Sequence, residues 1–235
     1  MLHLPDVTLC CVDSLNRDLA HRALRKSSEG VRFGQVTLCE PPIRSHTDYS
    51  EYVLKSLVRD IGTAFVLLIQ WDGYVTNPAA WRDEFLDYDY IGAVWSWHCD
   101  DMQVGNGGFS LRSRRLLEAL QDPTIQMAGV AEDETICRTF RPYLERRYGI
   151  RFAPTDTAER FSFEVGYPVR QPFGFHGLFN FCRVMSPQEL LQLMPRFSRK
   201  MMRSSQMLQL ARNCRALGHF DAAAALFRRI EEEAT

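Results

Sequence analysis

A single carboxylate ends the most apolar stretch of the chain. The run Phe65–Ile69 contains only apolar residues and is followed by Gln70-Trp71-Asp72-Gly73. Such a run predicts a central strand covered on both faces, because a half-exposed strand would alternate with polar residues. A carboxylate at the end of this strand is a hard oxygen ligand of the kind that Mg²⁺ and Mn²⁺ prefer. The alternative is a plain Asp-Gly β-turn after a buried strand.

A glycine-rich motif is the second candidate. It reads Val104-Gly105-Asn106-Gly107-Gly108-Phe109-Ser110. Its glycines allow the backbone to approach a ligand closely or to adopt a positive φ. No Gly-Lys-Ser/Thr ends it, so it is not a phosphate-binding P-loop, and no G-x-G-x-x-G follows the first strand, which argues against NAD. The alternative is a glycine turn or β-bulge without a ligand.

Two further groups contain side chains that can titrate. The acidic triplet Glu132-Asp133-Glu134 opens a predicted helix, where carboxylates also interact favourably with the helix dipole. His176 lies in Phe173-Gly174-Phe175-His176-Gly177. A lone histidine is often structural, but glycines and aromatic residues on both sides favour a tight, packed turn that aims the ring.

The elements around these motifs predict an α/β fold. Val7–Val12 reads as a buried strand, 18–27 as a helix and 31–38 as a second strand, and this order favours parallel pairing. Asp13, Asp72 and Asn106 each fall at a strand end, and open α/β sheets bind ligands at the carboxyl ends of their strands. Further strands are predicted at 64–70, 90–95 and 107–112, and helices at 49–61, 78–85, 113–120 and 132–148, the last interrupted near Pro142.

Four stretches together resemble the nucleotide-sugar-dependent glycosyltransferases of the GT-A fold. They are Phe65–Tyr74, Val104–Arg114, Glu132-Asp133-Glu134 and Phe173–Gly177. More closely, they resemble a bacterial family named only as a domain of unknown function, DUF5672, which often occurs beside tetratricopeptide repeats. Gln-Trp-Asp-Gly-Tyr and Val-Gly-Asn-Gly-Gly-Phe-Ser-Leu-Arg-Ser carry this closer resemblance, which covers about residues 5–183.

The resemblance implies a fold and a set of roles. The fold class is α/β and GT-A-like, with a mixed, mainly parallel sheet flanked by helices and a small α-helical tail. GT-A enzymes end a central strand with Asp-x-Asp, and here neutral Gln70 replaces the first carboxylate, where it could ligate, bind the ribose or point away. The implied residues are Asp13, Gln70, Trp71, Asp72 and Gly73 for the donor nucleotide; Asn106, Gly107, Gly108 and Trp95 for the acceptor or sugar; Asp72 and His176 for Mn²⁺ or Mg²⁺; and Asp133, with Glu132 as second choice, for catalysis.

The implied activity is transfer of a sugar from a nucleotide-diphosphate-sugar donor to a carbohydrate or other hydroxyl acceptor. It is metal-dependent, hexosyltransferase-like and inverting, because the resemblance makes an acidic residue the base that removes the acceptor proton. Two alternatives stay open: a phosphohydrolase that cleaves the nucleotide sugar, and a non-catalytic sugar- or nucleotide-binding module, which the neutral Gln70 favours. Core packing is an equal or better explanation for each tryptophan, including Trp95.

Composition limits the partners and the location. The 235 residues are 46% hydrophobic and 24% charged, with a net charge of -1, so nothing attracts nucleic acid or anionic lipid in general. No apolar run approaches the roughly 20 residues of a membrane span. The N-terminal residues lack the regions of a signal peptide, and the seven cysteines include no C-x-x-C. We therefore expect a cytoplasmic protein without a membrane span.

A change in composition predicts a separate tail. Beyond Ser186 the residues become helix formers, and we place the domain boundary so that residues 1–195 form the glycosyltransferase-like domain and 196–235 the tail. Residues 206–231 resemble one tetratricopeptide-like helical hairpin. Stable repeat arrays need about three or more repeats. The hairpin is therefore expected to pack on the domain, to dimerise or to bind a protein partner.

Overall fold

A computed structural model describes residues 1–127, 129–166, 168 and 170–234. The chain divides into two compact units, the first Met1–His176 and the second beginning at Gly177. This division lies before the predicted boundary at 195/196, because residues 178–193 pack with the helices that follow them. The side-chain amide of Asn213, for example, donates a hydrogen bond of 2.9 Å to the carbonyl of Phe179.

Eight strands among the described residues of the first unit form two sheets, and their order along the chain differs from their order in space. The strands are β1 (Leu2–Val12), β2 (Val31–Cys39), β3 (Phe65–Ile69), β4 (Tyr74–Val75), β5 (Tyr90–Ile91), β6 (Phe109–Ser113), β7 (Ser162–Phe163) and β8 (Gly174–Phe175). The larger sheet has the order β2-β1-β3-β6-β5, and the smaller one β4-β8-β7. In the larger sheet β1 is parallel to β2 and β3, whereas β6 is antiparallel to β3 and β5. The predicted α/β class with a mixed sheet is confirmed.

The apolar character of β3 follows from its position. It pairs with β1 on one side and β6 on the other, so its backbone groups are satisfied and both faces are covered. Its residues Val66–Ile69 are fully buried. One face contributes Val66 and Leu68 to a core shared with the helices that follow β2 and β6. On the opposite side of the sheet, the ring of Phe109 packs against Phe161, with ring centroids 5.3 Å apart.

In the described part of the first unit, six α-helices accompany the sheets. They are α1 (Arg17–Ser27), α2 (His46–Lys55), α3 (Arg114–Ala119), α4 (Glu132–Glu134), α5 (Arg141–Tyr148) and α6 (Thr155–Phe161). Ser113 caps α3, since its hydroxyl accepts a hydrogen bond from the amide of Leu116. The predicted helix at 49–61 instead begins at His46, because Ser45 and Asp48 form a capping box before it.

Two predicted elements are more irregular than expected. The segment 78–85 forms two short 3₁₀ turns, Pro78–Ala80 and Asp83–Asp87. The predicted strand 90–95 is regular only at Tyr90–Ile91, after which a single bridge pairs Val94 with Val104. The interruption near Pro142 is present: α4 passes into a π-helical turn, Thr135–Thr139, and α5 starts afresh with Pro142 in its first turn.

The second unit is helical throughout its regular part. Its α-helices are α7 (Phe181–Val184), α8 (Pro187–Leu193), α9 (Arg199–Met202), α10 (Ser205–Ala216) and α11 (Phe220–Ala234). The last two form the predicted helical hairpin, joined by a turn in which Gly218 has φ 78°. Arg229 donates a hydrogen bond of 2.7 Å to the carbonyl of Phe197 and another to Met194. Among the helices in the described ranges, none combines the length and the apolar character needed to cross a bilayer.

Candidate functional site

The candidate site begins where three strands meet at one edge of the larger sheet. Parallel pairing of β1 with β3 aligns Cys11 with Ile69, so both strands end at this edge. Antiparallel pairing of Ile69 with Phe109 makes β6 start at the same edge. The predicted residues Asp13, Asp72 and Asn106 follow or precede these strand ends. Gln70 continues the pairing, because its amide donates a 2.8 Å hydrogen bond to the carbonyl of Gly108.

Asp72 is both a turn residue and the partner of a histidine. The amide of Gly73 donates to the carbonyl of Gln70 over 3.1 Å, which closes the turn after β3. Asp72 is 5% exposed, and its Oδ1 lies 3.5 Å from Nε2 of His176. The Gln70 Oε1 atom lies 3.2 Å from the same nitrogen. The Asp-Gly turn therefore places the carboxylate of Asp72 next to His176, and Gln70 faces the same ring.

His176 lies between two carboxylates. Its Nδ1–H donates to Oε1 of Glu164 over 2.9 Å, on the side of the ring opposite to Asp72. Burial by itself lowers the pKa of the imidazole, but the negative charges of Asp72 and Glu164 outweigh burial and raise the pKa to about 10. The ring is therefore a cation at neutral pH.

The smaller sheet places this histidine. Antiparallel pairing of β4 with β8 sets Tyr74 opposite Phe175, so the preceding Gly73 lies beside His176. Parallel pairing of β7 with β8 sets Phe163 beside Phe175, so Glu164 lies beside His176 as well. The amide of His176 donates to the carbonyl of Phe163 over 2.9 Å.

Gly107 and Gly108 are required by close packing. A Cβ at Gly108 would overlap the imidazole of His176. A Cβ at Gly107 would overlap the carboxylate of Glu132. Neither glycine has a positive φ, so the requirement is for space. The motif thus brings a backbone strand against two side chains that carry charge.

Asn106 combines backbone strain with burial. Among the described non-glycine residues it is the one with a positive φ, 56°. It is 4% exposed, and its side-chain nitrogen lies 3.2 Å from Nδ1 of His176. Its Oδ1 is buried without a hydrogen-bond partner in the described part of the chain. Strain and an unsatisfied polar atom together are typical of functional sites.

The acidic triplet separates into two environments. Glu132 is 2% exposed, and its Oε1 pairs with the fully buried guanidinium of Arg112 over 3.2 Å. Burial and the charge of Asp133 raise the pKa of Glu132, whereas Arg112 lowers it. Asp133 is half-buried, and its Oδ2 accepts a 2.8 Å hydrogen bond from the amide of Gly107. Glu132 is therefore engaged by Arg112, whereas Asp133 is hydrogen-bonded to Gly107, the residue that follows Asn106.

Asp13 and Trp95 are buried, although each is predicted to contact a ligand. Asp13 is 9% exposed, and its Oδ1 accepts hydrogen bonds from the amides of Leu15 and Asn16, both 2.7 Å, so it caps the turn into α1. Trp95 is 4% exposed and packs over Gly105, whereas Trp97 is 56% exposed. Trp95 therefore offers no open face to a sugar. Trp71, in the turn after β3, is half-buried.

Asp72 and His176 are the side chains that could hold a metal ion together with its ligand, once Nε2 of His176 has lost its proton. Adjacent ligand atoms of an octahedral ion lie about 3 Å apart when each is 2.0–2.1 Å from the metal. The 3.5 Å between Asp72 Oδ1 and His176 Nε2 is close to that spacing. Metal-bound histidines usually donate their other N–H to a carboxylate, as His176 does to Glu164. Within the described residues no group of three or more His, Cys, Asp or Glu side chains could hold an ion by itself.

Sequence reasoning missed two residues of this site. Glu164 is a single carboxylate after a two-residue strand, and only its pairing with β8 brings it to His176. Arg112 lies within the Leu-Arg-Ser end of the glycine motif, and it pairs with Glu132, twenty residues further along the chain. A charged residue inside a strand that is otherwise buried was the available signal, because such a charge needs a partner.

Comparison with known proteins now gives the family. A family model described as "Protein of unknown function (DUF5672)" matches residues 33–176, more than half of the chain. The chain belongs to the DUF5672 family. No curated protein matches it. The family match contains Asp72, Asn106, Asp133 and His176.

Solved structures resemble this DUF5672 protein in fold. One is a glycosyltransferase involved in the glycosylation of the major capsid of PBCV-1, with 16% identity, 72% of this chain and 91% of that chain covered, and a TM-score of 0.50. Another is A197 from STIV, with 14% identity, 63% and 82% coverage, and a TM-score of 0.37. The first match shows that the DUF5672 protein has a glycosyltransferase-like fold.

Proposed function

We propose that this DUF5672 protein transfers a sugar from a nucleotide-diphosphate-sugar donor to an acceptor hydroxyl. The observation that carries the proposal is the convergence of Asp72, Asn106 and His176 at the carboxyl edge of β3 in a glycosyltransferase-like fold. Ligands of open α/β sheets bind at this edge. The same three residues come from separate parts of the sequence, and strand pairing brings them together.

The first chemical requirement is stabilisation of the leaving diphosphate. His176 presents Nε2 on the side of Asp72, and its other nitrogen is fixed by Glu164. A preoriented, partly buried N–H donor stabilises developing negative charge more strongly than water does. Asp72, with His176 when its Nε2 is deprotonated, would hold Mn²⁺ or Mg²⁺ together with the diphosphate. The ion would supply a Lewis acid for the leaving group.

The second requirement is a base for the acceptor hydroxyl. We assign this role to Asp133, because it is half-buried and held against Gly107 beside Asn106. Glu132 is less suited, since Arg112 already engages its carboxylate in a buried ion pair. A carboxylate base acting on the acceptor implies direct displacement at the anomeric carbon, and hence inversion.

An assay of transfer tests this function. Asp133→Asn should lower the rate of transfer by about 10²- to 10⁴-fold, the usual contribution of a general base, while donor affinity stays the same. Glu134→Gln is the matched control, because Glu134 is the next carboxylate in the same turn and should leave the rate near that of the wild type. The assay follows release of the nucleotide diphosphate from a panel of nucleotide sugars, with and without hydroxyl acceptors.

Three results would count against the proposal. Transfer at the wild-type rate by Asp133→Asn would remove the assigned base. Release of nucleotide without any dependence on acceptor would favour the phosphohydrolase. Binding of a nucleotide sugar with no turnover under any condition would favour the non-catalytic module.

A further inference from the structure

A cavity of about 690 Å³ lies in the first unit beside the candidate site. Its volume is within the 300–1,000 Å³ typical of small-molecule sites. None of the residues predicted to bind donor, acceptor or metal lines it. The lining residues used below are Trp81, Arg82, Arg160, Ser162 and Glu164.

Glu164 connects the cavity with the candidate site. It lines the cavity, as Ser162 does, and it also accepts the Nδ1–H of His176. Ser162 begins β7, and Glu164 follows the last residue of that strand. Two residues of chain span at most about 7 Å. A ligand that contacts Ser162 would therefore reach the neighbourhood of His176.

Ser162, a residue of the cavity wall, has a buried hydroxyl without a hydrogen-bond partner among the described residues. The residue is 2% exposed, and its Oγ makes no hydrogen bond to any group in the described ranges. A buried hydroxyl without a partner costs free energy that a ligand hydroxyl can recover. Ser162 therefore points to a ligand that carries hydroxyl groups.

Trp81 supplies a fixed aromatic wall. Its Nε1–H donates to Asp83 Oδ1 over 3.1 Å, so its polar atom is already satisfied. Its ring packs edge-on against Phe85 and Phe173, with centroids 5.4 and 5.1 Å away. Both phenylalanines are fully buried and hold the indole in place. A rigid indole loses little conformational entropy when the C–H face of a sugar ring packs on it.

The charges around the cavity balance. Its lining contains the arginines Arg82, Arg160 and Arg170 and the acids Asp156, Glu159 and Glu164. Arg160 pairs with Glu84 and Asp156, at 3.0 and 3.5 Å. Because neither sign dominates, the lining favours a neutral ligand with many donors and acceptors over an anion.

We propose that this cavity binds the carbohydrate acceptor, with one sugar ring on Trp81 and a hydroxyl on Ser162. The assignment as acceptor, but not the binding of a sugar, rests on the proposed glycosyltransferase function. The acceptor would extend from Ser162 toward Glu164 and His176, where the sugar is transferred. The cavity is connected to the proposed nucleotide site at Asp72 through Glu164, which accepts a hydrogen bond from His176.

Fluorine NMR of protein labelled with 5-fluorotryptophan tests the proposal without a donor. The chain has four tryptophans, so four signals are expected, each assigned with a single Trp→Phe variant. The probes are methyl glycosides of glucose, galactose, mannose, N-acetylglucosamine and rhamnose, together with maltose, cellobiose and lactose. We expect at least one probe to shift the Trp81 signal in a saturable manner while the signal of buried Trp95 stays in place.

Variants locate the binding. Ser162→Ala and Arg82→Ala should each weaken the binding of that probe, Ser162→Ala by about tenfold, an amount equal to about 1.4 kcal/mol. Both changes leave the contacts of Trp81 with Phe85 and Phe173 in place, so the fold is not at risk. Trp97→Ala is the matched control, because Trp97 is exposed and does not line the cavity; it should leave the affinity unchanged.

The failures of the two proposals differ. If no probe shifts the Trp81 signal, or if Ser162→Ala binds like the wild type, the carbohydrate cavity is overturned even when nucleotide sugars bind. If a probe binds at Trp81 but no nucleotide sugar binds anywhere, the sugar site stands and its assignment as an acceptor site is overturned.

Discussion

At the residue scale, the charge of His176 is the property on which the site depends. Asp72 and Glu164 lie on opposite sides of its ring, 3.5 and 2.9 Å from its two nitrogens. A neutral histidine would offer one N–H to two carboxylates, and leaving a largely buried carboxylate without a donor costs free energy. A protonated ring satisfies both. In the absence of ligand the imidazolium therefore occupies the position next to Asp72.

This charge predicts a pH dependence of stability. The pKa of His176 rises from 6.5 in the unfolded chain to about 10 in the folded protein. A raised pKa in the folded state means that the stabilisation is complete below pH 6.5 and is lost as the pH rises toward 10. The wild type should therefore have a larger free energy of unfolding than His176→Gln. This difference should be greatest near pH 6 and should shrink toward pH 10.

Urea denaturation at several pH values measures this difference. His21→Gln is the matched control, since His21 is an exposed histidine of α1 without these contacts. A gap between wild type and His176→Gln that stays constant from pH 6 to pH 10 would show that His176 is not held as a cation.

The sequence predicted some residues of the site better than others. Asp72 and Asn106 were recognisable because each adjoins a strand end, and strand ends are readable from apolar runs. Glu164 was not, because its position depends on a two-residue strand pairing with another of the same length. The choice between Glu132 and Asp133 could not be made from spacing, since burial against Arg112 distinguishes them.

At the element scale, the glycine motif and the small sheet form one packed unit. The strand that begins at Phe109 brings Gly108 against the ring of His176, which β8 presents. A closely packed protein interior accepts little extra volume. The position of the histidine is therefore set by backbone contacts on both sides.

Gly108→Ala should disturb the site through packing alone. The new methyl group would overlap the imidazole, so the ring must move away from Asp72 or the strand must shift. We expect a loss of about 1–3 kcal/mol in the free energy of unfolding and at least a tenfold loss of donor affinity. Chemical denaturation and calorimetric titration measure the two effects.

Gly62→Ala is the matched control for this change. The nearest atom to a Cβ there is Gln35 Oε1 at 3.7 Å, so the variant should be neutral or up to about 1 kcal/mol more stable. If Gly108→Ala behaves like Gly62→Ala in both measurements, the proposed contact between Gly108 and His176 does not constrain the site.

Regular elements were predictable from the sequence, and irregular ones were not. The strand Phe65–Ile69 and the helix Arg17–Ser27 follow from apolar patterns. The π-helical turn at Thr135–Thr139 shows no apolar periodicity of its own. It arises between α4 and α5, which has Pro142 in its first turn. Strands of two residues, such as β7 and β8, are too short to show any periodicity.

At the scale of the whole molecule, the chain forms two compact units rather than a domain and a tail divided at residue 195. Residues of α7 and α8 are buried within the second unit, among them Phe181 and Leu190. Composition alone placed the boundary too late to include them, because helix formers become dominant only after the unit has begun. The role of residues 206–231 in dimerisation or in binding a partner stays a prediction.

Ending the chain at residue 195 should therefore harm it. Such a deletion removes α9, α10 and α11 and uncovers Phe181, Leu190 and Leu193, which are 0%, 1% and 5% exposed in the full chain. Exposed apolar patches promote aggregation. We expect soluble aggregates on size-exclusion chromatography and a lower Tm than that of the full chain. A monomeric product with an unchanged Tm would contradict the division at His176.

The binding of a nucleotide-sugar donor tests directly whether the carboxyl edge of β3 is a donor site. Calorimetric titration of UDP-, GDP- and dTDP-sugars, with and without Mn²⁺, should be performed on the wild type, on Asp72→Asn and on the control Asp18→Asn, which changes an exposed carboxylate of α1. We expect sugars of one nucleotide to bind, and we expect binding to require both Mn²⁺ and Asp72 but not Asp18. If no nucleotide sugar binds under either condition, or if Asp72→Asn binds as tightly as the wild type, the carboxyl edge of β3 is not a donor site.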